Sequence, residues 1–179
     1  MRFTPTSTAR TFALVLIASC TRETAPERPA RADTSDSAFA ALQARGADPR
    51  AMGVDQYTSV HEFDALPDGG RIELQRDVDD SAGVAQIRRH LRAIAGAFSA
   101  GDFDTPAFVH ARRVPGTEVM AAKRSAIAYS VRDLPRGAEL RITTHDPAGV
   151  AAIHEFMAFQ RMDHRADGTD HGAAHAQHH

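Results

Sequence analysis

The chain has 179 residues, 42% of them hydrophobic and 25% charged, with a formal net charge of −2 when histidine is neutral. That length suits one globular domain with flexible ends, and so balanced a charge excludes the broad basic field that a nucleic-acid or polyanion partner would need. Ten histidines stand against two tyrosines and no tryptophan, so the charge of this chain responds to pH between about 5 and 8.

The first element is a targeting signal. "MRFTPTSTAR" carries Arg2 and Arg10 and no acid, and "TFALVLIAS" is an apolar run too short to span a bilayer as a helix. The only cysteine, Cys20, follows directly in "LIASC". This stretch resembles the lipobox of bacterial lipoproteins, with Ile17, Ala18 and Ser19 before the modified residue. The resemblance implies removal of residues 1–19 and acylation of Cys20. It also implies a membrane-anchored, periplasm-facing protein, with Thr21 in place of aspartate favouring the outer membrane of a diderm host. With no second cysteine, the exported chain is expected to fold without disulfides.

Residues 20–53, with "TRETAPERPARADTSDS", mix proline, alanine, serine and alternating charges, a composition that predicts a flexible linker with at most a helical turn around "SAFAALQAR". The domain proper is expected over 54–165 and contains an internal repeat. "LPDGGRIELQRDVDDSAGVAQIRRHLRAIAGAF" overlays "LPRGAELRITTHDPAGVAAIHEFMAFQRMDH", and a further strand candidate precedes each copy. Each copy reads as strand, turn, strand, helix, with proline and glycine supplying the turn. Asp80 or Ser81 opens the first helix and Asp146 with Pro147 the second, so "DVDD" reads as strand exit and cap rather than as a catalytic carboxylate pair.

Apolar stripes at helical spacing, Val84, Ile87, Leu91, Ile94 and Phe98 in one helix and Val150, Ile153, Phe156, Met157 and Gln160 in the other, mark the buried faces. Two such helices and two hairpins predict an α+β fold: a four-stranded, mostly antiparallel sheet with both helices on one face. Residues 101–123 fit neither copy and are expected to form a binding or lid segment.

Two sets of histidines carry the candidate chemistry. His90, His110, His154 and His164 lie in or beside the repeat, with His164 where the first copy has Phe98. They form a candidate core cluster for a transition metal or a proton shuttle. No His-x-x-x-His or Glu-x-x-His pattern on the helices backs a ligand geometry. The tail, 166–179, reads as disordered and brings His171, His175, His178 and His179 within nine residues. Imidazoles on a flexible chain wrap copper or zinc well, and these four are the candidate metal ligands. Phosphate-loop, dinucleotide, nucleophile-elbow and haem motifs are absent, as is any cysteine nucleophile, so no catalytic residue is assigned and neither nucleotide nor haem is expected. The expectation is a non-enzymatic envelope protein that binds or buffers a divalent metal. The alternatives are a small ligand-binding domain or enzyme built on His110, His154 and His164, and a structural or interaction module.

From "LPDGGRIELQRDV" through "GDFDTPAFVHARRVPGTEVM" to "ITTHDPAGVAAIHEFMAFQRMDHR" the chain resembles a family of small exported bacterial proteins that often carry the label aspartate carbamoyltransferase. His110, His154 and His164 stand at family positions, and the resemblance brings no role for them. Transcarbamoylases need a Ser-Thr-Arg-Thr phosphate-binding segment after a strand and two large α/β domains; this chain has neither the segment nor the length.

Overall fold

The computed structural model describes residues 34–168. The signal segment and Cys20 lie outside them. The described chain is α+β. Strands β1 (Ser59–Leu66), β2 (Gly69–Arg76), β3 (Ile127–Leu134) and β4 (Gly137–Thr144) form one sheet in the order β1-β2-β4-β3, every neighbour antiparallel. Helix α1 spans Thr34–Gly46, α2 Ser81–Ala100, α3 Asp104–His110, α4 Thr117–Ala122 and α5 Pro147–His164. None of these helices is long and apolar enough to cross a membrane.

The repeat read in the sequence is a local two-fold axis in space. Equating Leu66 with Leu134 equates Ile72 with Leu140, and those two residues face each other across the central β2–β4 pair. Glycines at the two strand starts are related by the same axis. A Cβ on Gly69, whose φ is +144°, would sit 2.1 Å from the Ile142 carbonyl oxygen, and one on Gly137 would sit 1.8 Å from that of Leu74. Only glycine lets the two hairpins approach this closely.

Alternation in the strands sends His61, Phe63 and Ala65 of β1, Ile72 and Leu74 of β2, and Ala138, Leu140 and Ile142 of β4 into the core. The opposite face carries charge: Arg71 meets Asp64 at 2.6 Å and Glu62 and Glu73 at 3.2 Å each, and Arg132 meets Glu139 at 2.9 Å. Both long helices cover the apolar face, each lying mainly over the other copy's hairpin, α2 on β3 and β4 and α5 on β1 and β2. The caps are those the sequence indicates: the Asp80 side chain accepts from Gly83 N–H, and that of Asp146 accepts from Ala148 and Gly149 N–H. Ile87, Leu91, Ile94 and Phe98 of α2 and Ile153, Phe156 and Met157 of α5 are buried. Each contributes about 1.5–3 kcal/mol of transfer free energy.

Two boundaries differ from the sequence expectation. Residues 34–53, read as linker, belong to the folded body. Helix α1 packs on α3 and α5, Leu42 joins Ala51 and Val109 in a small apolar cluster, and Met52 enters the main core. Leu42, Ala51 and Met52 are buried, and Phe39 sets its ring edge-on to Tyr57. At the other end, Asp167 follows α5 back along the edge of β1, its carbonyl accepting from Phe63 N–H at 3.0 Å. The segment 101–123 is ordered and packed: α4 lies against α5, with Met120 and Val114 buried in the main core.

Candidate functional site

Between the inner face of β1 and β2 and the helices lies a cavity of about 90 Å³. Helix α1 contributes Gln43; the segment before β1 contributes Met52, Val54 and Gln56; the strands contribute His61, Phe63, Ile72 and Leu74. From α2 come His90, Leu91, Ile94 and Phe98, from α3 Thr105, Pro106, Val109 and His110, and from α5 Phe156, Gln160 and His164. Most of this wall is apolar. No Asp, Glu, Lys or Arg is part of it.

Three of the four core histidines expected to cluster do meet here: His90, His110 and His164. His154 does not. It sits on the α5 surface facing the first hairpin, its Nε2 donating to the Leu66 carbonyl at 2.8 Å. The two-fold axis explains it: the equivalent position in α2 is Arg88, which donates to the Leu134 carbonyl at 2.7 Å and to that of Gly137 at 3.0 Å. Each clamps its helix to the opposite turn.

A fourth ring, His61, takes the place that His154 was expected to fill. It is 7% exposed, with its centroid 5.7 Å from that of His164. The signal for it was in the sequence: in "VHEFDA" His61 alternates with Phe63 and Ala65, which fixes it on the core face of β1. Gln43 and Gln56 carried no comparable signal.

Burial favours the uncharged form of three of these rings, His61, His90 and His164. Burial pushes the His61 imidazole down to about 4, with His90 nearby adding to the effect, and burial likewise pushes His90 down to about 4 against the opposing pull of its bond to the Ala51 carbonyl. Burial, with His61 and His110 alongside, holds His164 well below the usual imidazole value. His164 stacks on Phe63 at 5.5 Å and meets His110 edge-on at 5.0 Å. Both nitrogens of His110 are engaged, Nδ1 with Asp163 Oδ2 at 2.5 Å and Nε2 with Gln160 Oε1 at 3.0 Å.

Neutral imidazoles are the form that binds metals, but among the described residues no group of three or more His, Cys, Asp or Glu side chains is placed to hold an ion. The tail histidines, His171, His175, His178 and His179, lie outside the described residues. No family model, curated protein or solved structure matches the chain.

Proposed function

We propose that the domain is a non-enzymatic binding module that takes a small, mostly apolar ligand into the cavity between the sheet and the helices, and that the acylated Cys20 holds it at the cell envelope. The observation that carries this reading is the cavity itself: a largely apolar wall interrupted by imidazoles that burial keeps neutral. An enzymatic reading has less to stand on. The one carboxylate–imidazole pair among the described residues, Asp163 with His110, has its second imidazole nitrogen occupied by Gln160.

The test is a nuclear magnetic resonance titration of the full chain with neutral compounds of roughly five non-hydrogen atoms, a size the cavity admits. Saturable shifts at the methyl groups of Met52, Leu91 and Ile94 and at the rings of His61, His90 and His164 are expected. A panel that leaves all of them unmoved overturns the reading.

A second reading is favoured by the tail, whose four histidines lie within nine residues. It binds or buffers copper or zinc, independently of the cavity. Calorimetry of the full chain against a chain ending at residue 170 separates the two: binding heat lost on truncation assigns the ion to the tail, and heat retained assigns it to the body.

A further inference from the structure

Hydrogen bonding around the cavity fixes which nitrogen of each ring carries its proton. His90 Nδ1 lies 3.0 Å from the Ala51 carbonyl oxygen, which can only accept, so Nδ1 holds the hydrogen and Nε2 the lone pair. His61 Nε2 lies 3.1 Å from Ser59 Oγ, whose single hydrogen already goes to the Asp55 carbonyl at 3.0 Å. The hydroxyl therefore accepts, Nε2 is protonated, and Nδ1 is bare. Gln56 is oriented by its own donation from Nε2 to the His164 carbonyl at 2.8 Å, which presents Oε1 to His164 Nδ1, also at 2.8 Å. His164 thus donates from Nδ1 and keeps a lone pair on Nε2.

Three rings that line one cavity each spend their only hydrogen on the protein and retain an acceptor nitrogen. A fourth acceptor joins them. Gln43 is 7% exposed, lines the same cavity, and its Oε1 is buried with no hydrogen-bond partner. An acceptor buried without a partner, as Gln43 Oε1 is, is destabilising, and a ligand that donates to it relieves the deficit.

We infer that the cavity selects a compact, uncharged molecule bearing N–H or O–H donors, of the pyrrole class, over metal ions, anions and donor-free hydrocarbons or ethers; the inference rests on the binding reading proposed above. An anion would face the lone pairs of three imidazoles and find no Lys or Arg in the wall to offset its desolvation. An organic cation would find acceptors but no carboxylate in the wall to offset its desolvation. A metal would find no three donors placed for it. The volume, about 90 Å³, is smaller than the roughly 150 Å³ of a cavity known to hold benzene, which bounds the ligand below about six non-hydrogen atoms.

Pyrrole and furan make the test, because the two rings match in size and differ in whether the heteroatom donates or accepts. Each is titrated into the full chain at pH 7.5 while the imidazole ¹⁵N signals are recorded. Pyrrole is expected to shift the bare nitrogens of His61, His90 and His164 and to bind at least tenfold more tightly than furan. Furan binding as tightly as pyrrole overturns the donor requirement and leaves cavity binding standing. Binding of neither overturns the binding reading itself. Zinc moving the same nitrogens at lower concentration than pyrrole overturns the inference in favour of a metal site. Gln43→Met is expected to weaken pyrrole at least threefold with furan unchanged; an equal loss for both would assign Gln43 to packing alone.

Discussion

The two-fold axis that relates the copies sets α2 over β3 against α5 over β1, and the two sides differ in chemistry. On the α2 side the equivalent positions are Ile94, Phe98 and Tyr129; on the α5 side they are Gln160, His164 and His61. One side is an ordinary core. The other places two imidazoles and an amide at the same backbone positions, and the ring of His110 is added by α3, which the repeat does not contain. Duplicated architecture supplies the scaffold, and the three altered inward positions on the α5 side, joined by His90 from α2, supply the polar groups of the cavity.

Acid is expected to break this asymmetry hardest. His61 and His90 sit near 4 in the folded protein against an ordinary value of 6.5. Because the folded values are the lower ones, the unfolded chain takes up protons first as pH falls below 6.5. Stability is therefore complete near neutrality, falls between pH 6.5 and 4, and loses nothing more from these two groups below that. Each contributes roughly 3 kcal/mol to the loss, and His164 adds to it in the same direction. Urea unfolding at pH 7 and pH 4.5 measures the difference; equal midpoints would show that the rings are solvated in the native state.

The symmetric part of the fold should respond symmetrically. Gly69→Ala and Gly137→Ala each drive a methyl into a carbonyl of the facing strand, and each is expected to cost about 4 kcal/mol or more. Circular dichroism and denaturant midpoints of the two variants should agree closely. Tolerance of one but not the other would mean that the hairpins are not equivalent.

What was legible in the sequence follows the same division. The hairpin turns, the caps at Asp80 and Asp146 and both apolar stripes are local signals, and each reports on its own backbone. The placement of His154 was not local. Its distance from the cluster depends on the Leu66 carbonyl of the other copy, and on a helical wheel it is indistinguishable from a cavity residue. Helix α1 was hidden for a related reason: its apolar residues are mostly alanines, and its hold comes from partners far along the chain, such as Arg45 donating to the Val109 carbonyl at 2.6 Å and Arg165 meeting Asp36 at 2.9 Å. His61 was readable by strand alternation, since its neighbours on that face are a phenylalanine and an alanine.

Exchanging the equivalent residues sharpens the comparison at a smaller scale. Phe98 is 2% exposed and packs its ring among those of Phe103, Tyr129 and Phe156. Phe98→His is expected to cost about 3 kcal/mol at pH 7, from lost apolar burial and an unpaired polar ring. His164→Phe gains apolar area against Phe63 and loses the bond to Gln56, so its cost at pH 7 is expected within about 1 kcal/mol. It also removes one acid-sensitive group, so the variant should lose less stability than the parent between pH 6.5 and 4. Equal costs for the two exchanges would show that the polar side is not specifically built to accept histidine.

The smallest effects belong to the two clamps, and they separate structure from binding. Arg88 donates twice to the second hairpin turn and His154 once to the first. Arg88→Met is expected to cost about 1–2 kcal/mol and His154→Leu about 0.5–1.5 kcal/mol, the worth of the bonds removed. Neither residue lines the cavity, so pyrrole affinity at pH 7.5 should be unchanged in both variants under conditions where they remain folded. A His154→Leu protein that folds with parental stability yet loses the ligand would return His154 to the site and sink the clamp assignment. A parallel loss of stability in the two variants, with binding intact, would fix the polar cavity to the α5 side of β1 and leave the turn contacts as the part the copies still share.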